Sequence, residues 1–589
     1  MKTLNYIGKD SLKKIVGLLN VSQKKKIFFL VVLVLLSSGL ELLGLGLIIP
    51  AIGILVEPNY LNQFSKFDLI SSFFNFPSQE KIIIVGIVLI VLVYMLKGFF
   101  LSYSIFWQNK FVTDFHLYIS KKLFSKYLNQ TYVFHLNNNS SDLIRNINIE
   151  AQSLYSSLLA IMTLFMELVL MFSIIILLIQ MEPLGTILII ILASLVGGCF
   201  SKFSKSKIFK WGQEKVFHQG KSIQSVIEGL GGIKMIKILG REKEFEERFL
   251  THFEKYTKYE RLNSIVQQIP RVWIEFIAIL LLCILIISII YQGKDYSSIL
   301  PIIALFTGAA FRLIPSASKV FHSIQTLRFN ETSVNIIHND IVNSNKNDIE
   351  SNFKIPEIRT YHFNKIVLNN ISYRYGSLGL PVIKDLSFEI KKGESIGIIG
   401  ETGSGKSTLV NILLGLLKPQ KGKILIDNLD ISKKSFDLRE WQKNIGYVPQ
   451  DIFLMDDTIE NNIVFGLNKK LLDHKALANA LKYSQLKKFI GTLPDGIETM
   501  VGERGVRLSG GQLQRIGIAR ALYHNPSFLI FDEATSSLDY DTEDAIVDCI
   551  DQLEGKTKII IAHRLSSVKK CDYLIKIDKG SIEKIEKLK

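Results

Sequence analysis

Hydrophobic positions along the 589 residues fall into two regimes that change near residue 330. Before that point the chain carries long apolar runs, of which Ile27 to Leu36 and Ile277 to Ile290 are the purest. A bilayer-spanning helix needs about 20 mostly apolar residues. Six such stretches are predicted: Ile27 to Val56, Ile82 to Trp107, Leu158 to Gln180, Leu184 to Phe203, Ile274 to Tyr291 and Ser298 to Gln325. Polar, helix-compatible extensions join them, from Gln108 to about Glu150 and from Lys205 to Arg271. Residues 331–362, rich in Asn, Ser, Lys and Glu, read as a linker, and from residue 363 onward short strands alternate with helices. The expected architecture is an all-α six-helix transmembrane domain (27–330), preceded by a short polar segment (1–26), and followed by an α/β domain (363–589).

Composition agrees with a membrane protein: 48% hydrophobic residues and a mean hydropathy of +0.26 are too apolar for one soluble domain of this length. The cations give an orientation. Lys24, Lys25 and Lys26 precede the first span, and many lysines, Lys202 to Lys243, lie between spans four and five. Loops after spans one, three and five carry few, so both termini and the second domain are predicted to be cytoplasmic. This bias accounts for much of the formal charge of +16, and no zinc spacing or RNA-reading motif accompanies it, so nucleic acid is not an expected partner. Cys199, Cys283, Cys549 and Cys571 suggest neither disulfides nor a metal site. The first apolar stretch is too long for a signal peptide and is expected to be retained.

Candidate chemistry lies in the second domain. The apolar run Ser395 to Ile399 leads into Gly400, Glu401, Thr402, Gly403, Ser404, Gly405, Lys406 and Ser407, and a helical composition follows from Thr408 to Leu417. Glycines at a strand-to-helix turn let backbone amides crowd an anion, and the helix terminus adds partial positive charge. Lys406 is then the point charge for the β and γ phosphates of a nucleotide, and Ser407 a hard oxygen ligand for Mg²⁺, so residues 363–589 read as an α/β P-loop nucleotide-binding domain. A second apolar run, Phe528 to Phe531, ends in Asp532 and Glu533. Asp532 is the candidate metal carboxylate, and Glu533 the base that deprotonates the attacking water.

The order of these segments around Leu508-Ser509-Gly510-Gly511-Gln512 resembles the ATP-binding cassette family, whose ATP sites form between two cassettes. The resemblance implies that Ser509, Gly510, Gly511 and Gln512 close the phosphate loop of another copy. It also implies that Gln450 reaches Mg²⁺ and the attacking water, that His563 contacts the γ phosphate, that Asp539 lines the dimer interface, and that Thr408 belongs to the nucleotide site. Tyr375 sits where the family places an aromatic on adenine, although alternation along the strand leaves Tyr373 as the other candidate. No member of the hydrolytic set is replaced, so a homodimer would have two competent sites. The long extensions, with Asn139 to Asn146 and Gly231 to Lys237 as candidate coupling segments, resemble the exporter branch.

Ionisable residues in or beside spans are costly and mark substrate paths. They are Glu41, Lys97, Glu167, Arg271, Glu275, Arg312 and Lys319. Over nearly the whole chain the sequence is similar to the bacterial lipid-linked oligosaccharide flippases of protein glycosylation, notably in Pro270-Arg271-Val272-Trp273-Ile274-Glu275 and Phe311-Arg312-Leu313-Ile314-Pro315. The resemblance implies a flippase in a bacterial inner membrane, carrying a polyprenyl-pyrophosphate glycan from the cytoplasmic to the outer leaflet by alternating access. Lys97, Arg271, Arg312 and Lys319 would face the pyrophosphate. An aromatic stretch between spans one and two, from Tyr60 to Phe74, is a candidate surface for the lipid tail. Export of peptides, lipids or hydrophobic drugs is the alternative; a nucleotide-gated channel fits less well with intact ATP sites.

Overall fold

The computed structural model of the chain describes residues 9–46, 79–291, 296–342, 363–376, 379–433, 435–534, 540–562 and 564–589. The chain divides into two compact units at about residue 351, with residues 131–133 grouped with the second. The aromatic stretch at 60–74 lies outside the described residues.

The first unit is helical: α1 (Lys9–Leu18), α2 (Val21–Gly46), α3 (Gln79–Leu128), α4 (Ala151–Met181), α5 (Pro183–Gly231), α6 (Glu242–Tyr291), α7 (Tyr296–Phe329) and α8 (Glu331–Val342). Six long helices, α2 to α7, overlap the predicted stretches, and the part of the first stretch beyond Gly46 lies outside the described residues. Four of them, α2, α3, α4 and α6, are long and apolar enough to cross a membrane among the described residues. Punctuation explains the boundaries. Pro183 opens α5, where a missing N–H costs nothing, and Gly240, at φ +63, caps the short helix Ile233–Leu239. Pro270 lies inside α6 and removes one of its backbone hydrogen bonds.

Side-chain burial along α3 inverts with position. Ile87, Val91, Met95 and Phe99 in its first half are exposed, the placement expected of lipid-facing residues. Beyond Gln108 a stripe at four-residue spacing, Phe111, Phe115, Ile119 and Leu123, is buried against Leu154 and Leu158 of α4 and Val334 and Ile337 of α8. Each such side chain contributes about 1.5–3 kcal/mol. The polar extension is thus a water-side helical core. The start of the expected linker, 331–342, belongs to that core as α8; the rest, 343–362, lies outside the described residues. Of the two candidate coupling segments, the first is split: Asn139 caps a helix over Ser140–Arg145 and a π turn follows over Asn146–Glu150, while a separate helix occupies Tyr132–Asn137.

The second unit holds two sheets: β1 (Lys365–Tyr373), β2 (Ile383–Lys391), β4 (Lys421–Ile426) and β5 (Leu429–Asp430) form an antiparallel sheet in the order β2-β1-β4-β5. β3 (Ser395–Ile399), β6 (Ile445–Val448), β7 (Phe528–Asp532), β8 (Thr557–Ile561), β9 (Tyr573–Asp578) and β10 (Ser581–Lys587) form the other, in the order β10-β9-β3-β8-β7-β6. All neighbours in it run parallel except β10 with β9. β7 is buried at every residue, as a central parallel strand covered on both faces must be. Trp441, Phe363 and Phe528 pack ring to ring in the core. Parallel alignment brings the carboxyl ends of β3, β8, β7 and β6 to one edge, where ligands bind in open α/β sheets.

Candidate functional site

Three strands deliver the site. After β3 the chain turns through Gly400 to Gly405 and enters helix α9 (Lys406–Leu413). Gly403 and Gly405 stand at φ +85 and +103, where L side chains are strained. A Cβ on Gly400 would come within 2.3 Å of the Ile577 carbonyl, and one on Gly405 within 2.9 Å of the Val382 carbonyl. The turn therefore forms only with glycine, and it leaves a cradle of backbone amides at the start of α9. Lys406 folds back over it: Nζ donates to the Gly400 carbonyl at 2.7 Å and to the Glu401 carbonyl at 2.9 Å. Burial lowers the pKa of this ammonium, against the opposing pull of Glu533 and Asp532. The hydroxyl of Ser404 is buried without a hydrogen-bond partner, whereas Ser407, the second residue of α9, is exposed.

β7 ends in Asp532, whose pKa is pushed up to about 6 by burial and by the adjacent Glu533 charge, with Lys406 opposing. A carboxylate held at such a cost is one that a cation would relieve. Glu533 has φ +50, a backbone conformation that β-strand continuation would not give, and its amide donates to the Ile561 carbonyl at 3.0 Å. Past β6, Gln450 donates from Nε2 to Glu533 Oε2 at 2.7 Å. Four predicted residues, Lys406, Gln450, Asp532 and Glu533, are thereby brought to one edge. The fit to a phosphate and its cation rests on three features: the glycine cradle, the orphaned Ser404 hydroxyl, and the charge deficit around Asp532.

Tyr373 and Tyr375 separate cleanly. Tyr373 closes β1 and is buried in the core, while Tyr375 lies beyond the strand, 43% exposed. The Tyr375 hydroxyl is 3.2 Å from Thr408 Oγ1 on α9, and the two tyrosine rings meet edge to face. Ser509 is the N-cap of α10 (Gly510–Tyr523): its hydroxyl accepts from the Gln512 amide at 3.3 Å, and Gln512 Oε1 accepts from the Ser509 amide at 2.8 Å. This capping box is legible in the sequence as Ser-x-x-Gln. Ser509 and Gly510 are exposed, and among the described residues this segment makes no hydrogen bond to the phosphate loop of its own chain. His563 and Asp539 lie outside the described residues.

In the membrane unit, the four cations expected to face a substrate all have carboxylate partners. Lys97 donates to Glu41 Oε1 at 2.8 Å, and Arg312 Nε lies 3.1 Å from the same oxygen without an aligned hydrogen bond. Lys319 donates to Glu167 Oε1 at 2.7 Å. Arg271 pairs with Glu275 one helical turn away at 3.0 Å, on an exposed face. Sequence reading named Glu41, Glu167 and Glu275 beside these cations but not the pairing, which for Glu41 and Glu167 joins helices distant along the chain.

The sequence matches the ABC transporter transmembrane region over residues 27–311 and the ABC transporter cassette over residues 383–536. An ATP-dependent lipid A-core flippase of Saccharophagus degradans is 32% identical over 408 residues, 67% of this chain and 66% of that one. The leukotoxin translocation ATP-binding protein of Mannheimia glucosida is 41% identical over 244 residues, 41% of this chain and 33% of its own. The chain spans 27 to 66% of the length of the first curated relatives it matches. A solved bacterial Atm1-family ABC exporter with ATP bound has the same fold, with a TM-score of 0.75 at 23% identity over 97% of this chain and 96% of that one. The chain thus belongs to the ABC transporter family, with a helical membrane domain followed by a nucleotide-binding domain in the exporter fold.

Proposed function

We propose that the chain is one half of a homodimeric ATP-driven exporter of the flippase kind, moving a polyprenyl-pyrophosphate oligosaccharide from the inner to the outer leaflet of a bacterial inner membrane. The observation that carries this reading is the cluster at Glu41. Lys97 and Arg312 converge on one carboxylate, with side chains 17% and 24% exposed, so the three groups hold a net positive charge within the membrane unit. Ionisable groups there are costly and mark a transport path, and a net cation suits a phosphorylated head. A lipid A-core flippase among the relatives supports an amphiphilic cargo.

In this reading Gly400 to Thr408 hold the phosphates of ATP, and Ser407, Gln450 and Asp532 hold Mg²⁺. The ion, when bound, neutralises charge developing on the phosphates. Glu533, already oriented by Gln450, takes the proton of the attacking water. Ser509 to Gln512 of a second copy, exposed at a helix start, close the site, and His563 contacts the γ phosphate. Closure of two cassettes shifts the spans from inward to outward access, and hydrolysis resets them. Tyr375, already joined to α9 through Thr408, stacks on adenine. Tyr375→Ala is expected to weaken nucleotide binding roughly tenfold, with Tyr375→Trp close to the parent, in titrations with a fluorescent ATP analogue. Equal affinity of the alanine variant would remove Tyr375 from the site.

Transport itself is tested in proteoliposomes by ATP-dependent movement of a fluorescent polyprenyl-pyrophosphate oligosaccharide. Movement that needs hydrolysable ATP supports the assignment. Robust ATP turnover without movement of several such glycans would instead favour the export of peptides or hydrophobic drugs; a leukotoxin translocation protein is among the relatives.

A further inference from the structure

The strongest unassigned feature lies where α2 meets α3, at the level where the apolar run of α2 begins. A cleft of about 470 Å³ opens there. Its floor is apolar, Leu30 and Phe111, both buried. One wall is aromatic: Phe29 meets Trp107 edge to face at 5.7 Å. The rim is cationic, formed by Lys25 and Lys26 on α2 and Lys110 on α3, the last seated over the Trp107 ring at 5.1 Å. One carboxylate, Asp114, answers these three lysines; it lies 3.4 Å from Lys26, both side chains 48% exposed. An exposed pair of that kind is weak and yields readily to a stronger anion. Leu30 and Phe111 also line a second cleft of about 230 Å³, whose remaining walls, among them Ile15, Leu19, Val34 and Phe165, are almost wholly apolar.

A cationic cleft and an apolar one, sharing two side chains at the start of a span, match a molecule with an anionic head and a hydrocarbon tail. Tryptophan beside lysines is the composition of a membrane–water boundary. Basic pockets between spans on the cytoplasmic side hold anionic lipid heads. The geometry points to a binding site for a resident anionic glycerophospholipid of the cytoplasmic leaflet, its phosphate held by Lys25, Lys26 and Lys110 and its acyl chain laid against Leu30 and Phe111. The choice of leaflet rests on the orientation in the proposed function. The site is separate from the Glu41 cluster, so this lipid is bound and not carried.

The test uses full-length protein in a neutral detergent, titrated with dioleoyl phosphatidylglycerol or with phosphatidylcholine of the same chains, bound lipid being counted by native mass spectrometry. The parent should prefer phosphatidylglycerol by at least tenfold. Each Lys→Gln change should weaken that binding about fivefold, and Lys25→Gln/Lys26→Gln/Lys110→Gln together should abolish the preference. Asp114→Asn, which removes the competing carboxylate, should tighten binding several-fold, a gain that loss of folding cannot mimic. Lys110→Arg should retain the preference, and ATP turnover in lipid-free detergent should be unchanged throughout. Equal binding of the two lipids by the parent, or a preference that survives the triple change, would overturn the site. Displacement of phosphatidylglycerol from the parent by a polyprenyl-pyrophosphate glycan would make the cleft part of the transport path and overturn its assignment to a resident lipid. Failure of glycan movement with the lipid preference intact would overturn the transport reading alone.

Discussion

Glu533→Gln should lower steady ATP turnover by about two to four orders of magnitude while leaving ATP affinity within a few-fold of the parent. The substitution keeps shape and keeps a hydrogen-bonding partner for Gln450, which reaches Glu533 at 2.7 Å. It removes the ability to accept a proton, together with the charge that raises the Asp532 pKa. Affinity should persist because the amide cradle and Lys406 are untouched. Phosphate release measured beside equilibrium binding separates the two effects: a fall in turnover without a fall in affinity is the loss of a group used in the transition state alone. Turnover above a tenth of the parent, or further stimulation by substrate, would rule Glu533 out as the base. The positive φ at Glu533 makes the position sensitive to backbone strain as well, so Glu533→Asp is a useful companion; it keeps a carboxylate and withdraws it from Gln450.

Glu41→Gln should destabilise the membrane unit by about 3–5 kcal/mol, because it leaves Lys97 and Arg312 facing each other without a carboxylate among groups largely withdrawn from water. Thermal unfolding in detergent, followed by a probe in the membrane unit, should show a midpoint lowered by roughly 5–10 °C. Arg312→Ala should cost much less, since Glu41 keeps its hydrogen bond to Lys97, yet should reduce glycan movement more than basal ATP turnover. A neutral replacement of all three groups should fold nearly as well as the parent, because its net cost is desolvation against attraction. If Glu41→Gln leaves the midpoint unchanged, water reaches the cluster freely and the ion pairs carry no structural weight.

Much of the second unit was legible because its chemistry is local in sequence. Ser395 to Ile399 followed by glycines gives a strand and a turn, and β3 and α9 stand there. The helix ends sooner than the composition to Leu417 suggests, because Gly415 takes a positive φ just beyond it. Alternation alone left Tyr373 and Tyr375 open; the end of β1 at Tyr373 separates them. In the membrane unit the apolar runs located the long helices, but hydropathy carries no information on which helices touch. The pairing of Glu41 with Lys97 and Arg312 depends on three helices meeting, and no spacing rule encodes that. The buried stripe on α3 also escaped notice, since its four-residue period lies in a segment polar enough overall to read as an extension.

The 50 residues of α3 have a mechanical consequence. At a rise of 1.5 Å per residue such a helix is about 75 Å long, while the hydrocarbon layer takes about 30 Å of it. Some 45 Å of rod therefore projects beyond the lipid, stiffened by its packing on α4 and α8. Pivoting about its membrane-embedded part, it turns a tilt of 5°, too small to break any contact within the bilayer, into a sweep of about 4 Å at the far end. The helix is a geared arm: displacement is largest at its far end, and the stroke within the lipid is short. Pro270, partway along the comparably long α6, places a joint in a second such arm.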